Sequence, residues 1–243
     1  MILDDYQKRV DQLFDDIKTT QRENIITAGK MIADTIDAGG NIYLSGICHS
    51  IEMDLFNRGG GPAFYRKFHY KLDVVSDARE RDRSDMDLNM EGLGAYILKA
   101  STIRPGDVLF VGSVSGRTSH VVDLAYEAKK MGIKVIAMSS MSYAKQVDAV
   151  HSSGKKLYEI VDLTLDNCAP AAEAMLEVEG IEANFAAASG IASSYILWSV
   201  TAVVLEEMQK RGKTPRLLKS ANYPGGVAYN EAEVYPHYKE FGW

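Results

Sequence analysis

The stretch GDVLFVGSVSGRTSH, residues 106–120, decides the fold. Asp107 to Gly112 is a continuous β-favouring run behind the turn signal Arg104-Pro105-Gly106, which predicts a short buried strand. Beyond it, Val121, Val122, Leu124, Ala125, Ala128 and Met131 recur at helical spacing. Between the two lie four hydroxyls, Ser113, Ser115, Thr118 and Ser119, with glycines at 112 and 116. The hydroxyl cluster is therefore expected at a strand-to-helix turn.

Working outward, the same pattern recurs. NIYLSGICHS (41–50) predicts a strand over 42–44, a small-residue turn and a helix beginning near Ile51. IKVIAMSS (133–140) predicts a strand ending in Ser139 and Ser140, YEIVDLTLD (158–166) another, and FYRKFHYKLDVVS (64–76) a strand with uncertain ends. Helices are expected at 91–101 and 187–211, the latter too apolar for a surface helix. Alternating strands and helices imply a parallel sheet covered on both faces, an α/β fold in three layers.

The 243 residues suit one domain: a helical extension over 1–40, an α/β core over 41–212 and a tail over 213–243. The extension reads as one long helix or two joined within 18–24, where Thr20 and Glu23 have capping-box spacing, and Gly39-Gly40 ends it. Residues 76–90, dense in both charge signs, read as a solvated loop. Six aromatics in the tail require it to pack on the domain or on a neighbour. Together with the apolar stripe over 3–17, they predict a homodimer or homotetramer.

A net charge of −6 argues against a nucleic-acid partner. No window approaches the roughly 18 apolar residues a membrane span needs, and the acidic start MILDDYQKRVDQ does not read as a leader. Two cysteines exclude a disulfide framework, and a cytoplasmic location is expected. Cys48, His49 and Cys168 lack zinc-motif spacing, so neither a metal nor another cofactor is expected.

In an open parallel sheet, ligands bind beyond the carboxyl ends of the strands. The helices that follow begin with unpaired amides, which attract anions. Three strand ends deliver small or hydroxyl residues to that rim, so a phosphate is the natural guest. GSVSGRT is not a P-loop, since Arg117 stands where lysine should be, and Val114 excludes a nucleophile elbow. Helix capping accounts for one hydroxyl but not four.

Here the chain resembles a known family. GDVLFVGSVSGRT is similar to the signature turn of SIS (sugar isomerase) domains. SGICHS matches their earlier G-x-G-x-S turn at Gly46 and Ser50, with Cys48 replacing the second glycine, and IKVIAMSSMSYAKQVD resembles their third segment. The resemblance covers about residues 35–210 and is strongest to the branch of phosphoheptose isomerase-like proteins. It implies a flavodoxin-like three-layer fold, assembly through the long helices, and a sugar phosphate held by Ser50, Ser113, Ser115 and Thr118. That branch carries a glutamate about ten residues beyond the serine; here the region reads FNRGGG, and Glu52 and Asp54 are out of register.

The resulting expectation is an aldose–ketose isomerase of sugar phosphates. The alternatives are a phosphosugar-sensing module without catalysis, or another sugar-phosphate enzyme such as an etherase or lyase. Gly46, Ser50, Ser113, Ser115, Gly116, Arg117, Thr118 and Ser139 are the expected ligand contacts. His49 is the expected acid–base group, since imidazole titrates near neutrality. Glu173 is its expected partner, on a helix opening after LDNCAP. Glu52 and His151 are substitutes.

Overall fold

Alternate residues of the strands point into two separate cores, which is why those strands read as unbroken apolar runs. In this computed structural model, which describes residues 1–56, 58–75, 79, 82, 84 and 89–243, the central sheet contains β1 (Ile42–Ser45), β2 (Tyr65–Lys67), β3 (Val108–Gly112), β4 (Lys134–Ser139) and β5 (Leu163–Asp166). Ile42, Leu44, Val108, Phe110, Ile136 and Met138 enter one core. Tyr43, Leu109, Val111, Val135 and Ala137 enter the other.

All pairings are parallel, in the order β2-β1-β3-β4-β5. The chain moves from β1 to one side, then returns to the other side through β3. Crevices form where strand order reverses in this way, here between the ends of β1 and β3. The first core is closed by α1 (Ile2–Thr20), α2 (Arg22–Asp37) and α6 (Ser189–Lys210); the second is closed by α3 (Leu93–Ala100) and α4 (Ser119–Lys130). A short α5 (Met141–Ala144) follows β4. This is the expected three-layer fold.

Several boundaries differ from expectation. The two N-terminal helices join at Gln21, within the expected 18–24, but the expected capping box is absent, because the Thr20 hydroxyl donates to Asp16 O (2.7 Å) within its own helix. Gln21 instead accepts the Asp166 amide through Oε1 (3.0 Å), tying the helix junction to the end of β5. The segment after the first turn is only a 3-10 turn, Ile51–Leu55. Residues 57, 76–78, 80, 81, 83 and 85–88, and with them much of the expected charged loop, lie outside the described residues.

The largest departure follows LDNCAP, where a hairpin stands in place of a helix. Its strands are β6 (Ala174–Val178) and β7 (Ile181–Ala187), paired antiparallel. A second concerns α6, which by length and composition alone could cross a membrane, against the sequence expectation. Its apolarity has a packing cause: Ala192, Ile196, Leu197, Val200 and Val204 are fully buried against the first core.

The α2–α6 contact is close. A Cβ on Gly29 would lie 2.4 Å from Val203 Cγ1 and 2.5 Å from its Cβ. Gly29→Ala gains about 1 kcal/mol of helix propensity and loses roughly 1–3 kcal/mol to overpacking. The expected net loss, up to about 2 kcal/mol, should lower the urea midpoint. An unchanged midpoint would show that the helices can separate freely.

The tail packs on the domain along the β2 edge. Gly60 and Leu218 exchange backbone bonds with the segment opposite (Gly60 N to Leu218 O 2.8 Å, Leu218 N to Gly61 O 2.9 Å). Its helices are α7 (Gly226–Tyr229) and α8 (Tyr235–Phe241), separated by a π turn. The Arg66 guanidinium stacks 3.2 Å over the ring of Tyr238 in α8. This contact holds α8 against β2.

Candidate functional site

The turn from Gly112 to Thr118 is held from below, leaving its upper side free. Ser113 N donates to Met138 O (3.1 Å), Ser140 N to Val114 O (2.9 Å), and Leu157 N to Gly116 O (2.8 Å). Ser139, expected to touch a ligand, is fully buried, and its hydroxyl donates to Ser113 O (2.8 Å). It shapes the turn rather than facing a ligand. Gly116 takes φ 65° at the tight point of the turn and is buried too.

Thr118 occupies the N-cap position of α4 without capping it through its side chain. Its hydroxyl instead lies 3.0 Å from that of Ser113. The amides of Ser115, Arg117 and Thr118, and of Ser119 and His120 in the first turn of α4, find no acceptor among the described residues. Such an array at a helix start has the donors an anion needs.

Across the crevice, Gly112 comes so near the β1 turn that an added Cβ would sit 2.6 Å from Ile47 Cα. Three successive residues of that turn, Cys48, His49 and Ser50, adopt φ of 39°, 63° and 66°. Glu52, a substitute base by sequence, is nearly fully buried; its two carboxylate oxygens accept the amides of Gly46 (3.0 Å) and Ile47 (2.9 Å). It is committed to holding the turn.

His49 Nε2 lies 3.4 Å from Glu173 Oε2, and the same oxygen accepts from the Ser189 hydroxyl (2.9 Å) at the start of α6. Glu173 sits at the root of the β6–β7 hairpin with φ 71°, not on a helix. His49, Glu173, Ser113, Ser115 and Thr118 line one cavity of about 300 Å³. Gly46 and Ser50 line a larger neighbour of about 610 Å³. Arg117 is half-buried and lines neither.

His151 also lies apart from both cavities. It is buried beside Glu91 (3.7 Å) and Asp123 (3.8 Å), with Nδ1 2.8 Å from the Ser153 hydroxyl. The cysteines do not join His49 in one cluster. Asn167 donates to Cys48 Sγ (3.6 Å), whereas Cys168 Sγ pairs with the Thr20 hydroxyl (3.6 Å). Burial pushes both thiols up to about 11.

Sequence reasoning missed His120 and Tyr143, which line the smaller cavity, and Lys67 and His69, which line the larger. His120 lies between the two cavities. Its signal was its place in the first turn of the helix that follows the hydroxyls.

With this geometry in view, the likeness to known proteins can be placed. The SIS domain model matches residues 5–140, beginning within α1 and ending past β4. A UPF0309 protein of Shouchella clausii is 31% identical over 97% of this chain and 96% of its own length. One from Streptomyces avermitilis is 34% identical over 88% and 86% respectively. Among solved structures, the phosphoheptose isomerase of Neisseria gonorrhoeae superposes with a TM-score of 0.54 at 14% identity, covering 85% of this chain and 97% of that one. That of Francisella tularensis gives 0.52 at 15%, covering 86% and 96%. At such identities the superpositions speak for the fold, which is the one described above. The family match and the near full-length relatives establish that this chain is an SIS-domain protein of the UPF0309 family.

Proposed function

We propose that this protein binds a sugar phosphate at the 113–118 turn and interconverts its aldose and ketose forms. The observation that carries the reading is the convergence, in one cavity, of the free-amide turn with the His49–Glu173 pair. The hydroxyls of Ser113, Ser115 and Thr118 and the first amides of α4 hold the phosphate. His49 then stands over the sugar carbons.

Isomerisation moves a proton between adjacent carbons through an enediolate, which needs a base and a way to stabilise the developing oxyanion. Glu173 faces Nε2 of His49 and favours the tautomer with a proton there. Nδ1 is then the lone pair that takes the proton from the carbon beside the carbonyl and returns it to the neighbouring carbon. His120, in the first turn of α4, gives a proton to the carbonyl oxygen as the enediol forms and takes back the proton that the neighbouring hydroxyl releases as it becomes the new carbonyl.

The test is a thermal-shift screen against aldose and ketose phosphates, followed by proton NMR of each hit in deuterated water. Deuterium entering at the carbon beside the carbonyl as the sugar interconverts supports the reading. Stabilisation without exchange or interconversion would overturn the isomerase and leave a sensor. We also infer self-association into a homodimer or homotetramer. Among the described residues β7 pairs only with β6, its Ile181 and Phe185 are more than half exposed, and Tyr6 of α1 packs beside Phe185. Light scattering should report at least a dimer at micromolar concentration, and Phe185→Asp should shift it toward monomer.

A further inference from the structure

The larger cavity is out of proportion to a sugar ring. At about 610 Å³ it has twice the volume of its neighbour, about 300 Å³, and the two meet at Gly112, His120 and Val121, which line both. A ligand anchored at the 113–118 turn therefore has this space beside it, on the far side of His120. One side of it is apolar, formed by Phe68 beyond β2, Leu93 and Ile97 on α3, and Val121 and Leu124 on α4, while Ser45, Ser50, Lys67 and His69 line the rest.

The apolar side is also a rigid one. Asp123 of α4 accepts the Gly94 amide of α3 (2.7 Å), and a Cβ on Gly94 would come within 2.8 Å of the Asp123 side chain and 2.9 Å of its carbonyl. The two helices that form this wall are pinned to each other at a fixed separation. Sugar hydroxyls pressed against the α3–α4 side would lose their water bonds without replacement, whereas a hydrocarbon group gains from the same burial.

We propose that the sugar phosphate carries an apolar substituent several carbons long, linked as an acyl amide or an ether, and that this chain fills the larger cavity. The proposal rests on the phosphosugar reading above and adds the class of substrate to it. Ile97, half-buried on the cavity side of α3, is a specificity-determining residue under this proposal.

Calorimetric titration with two series tests it: a hexosamine 6-phosphate with its N-acetyl, N-butanoyl and N-hexanoyl derivatives, and the corresponding 3-O-alkyl ethers of a hexose 6-phosphate. In one series affinity should rise about fourfold per buried methylene, or about 250-fold over the four methylenes from acetyl to hexanoyl. Ile97→Trp, which fills the cavity, should flatten that rise while leaving the parent compound's affinity unchanged. If the parents bind and affinity is flat or falls in both series, the substituent proposal is overturned and the phosphosugar reading stands. If no member of either series binds, the phosphosugar reading falls, and this proposal with it.

Discussion

A chain carrying Ser115→Ala and Thr118→Val should bind sugar phosphate about 10²–10⁴-fold more weakly than the parent. Under the proposed reading each change removes a hydroxyl donor to the phosphate, and hydrogen bonds to charged groups contribute roughly 1.5–3 kcal/mol each. The surrounding amides remain and keep some residual binding. The fold should survive, because Thr118 caps nothing through its side chain. The local cost is the loss of the 3.0 Å contact with the Ser113 hydroxyl, about 1 kcal/mol. Titration with a ligand from the screen, alongside a melting curve, checks both statements. Near-parental affinity in the folded double mutant would remove the turn from the binding site.

Glu173→Gln should lower turnover at least about 100-fold, the usual size of a disabled acid–base group, with little change in ligand-induced stabilisation. The amide keeps the shape and its oxygen can still accept from Ser189, but it has no charge to favour the imidazolium that forms when His49 takes a proton. His49→Ala should fall by a similar factor, and the double mutant by little more, because residues that act as one unit are not additive. Independent multiplication of the two losses would show that they do not work as a pair.

Much of this architecture was legible because burial on both sides of a sheet writes itself as unbroken apolar runs. That is why β1, β3 and β4 and the hydroxyl turn could be located from residues alone. β7 was not, since its residues are mostly exposed and IEANFAA offers only two strong β-formers, Ile181 and Phe185, among alanines and polar residues. A local signal was present in Glu179-Gly180 between Val178 and Ile181, where Gly180 takes φ 79°, a two-residue hairpin connection. Missing it put Glu173 on the wrong kind of element, although its meeting with His49 was anticipated. The division of labour around the crevice was hidden for a different reason. Glu52 turns back on the amides of Gly46 and Ile47, five and six residues earlier, because Cys48, His49 and Ser50 between them run left-handed, a conformation that residues other than glycine do not announce.

The left-handed run at Cys48, His49 and Ser50 has a thermodynamic corollary. Non-glycine residues in that region each forfeit about 1 kcal/mol or more of folding free energy, yet glycine, free of that penalty, occupies none of the three positions. Selection for heat resistance alone would therefore find relief here first, by exchanging Ser50 or Cys48 for glycine. A hardier protein obtained in this way would hold its imidazole less firmly, making this turn a place where endurance and activity are traded against each other.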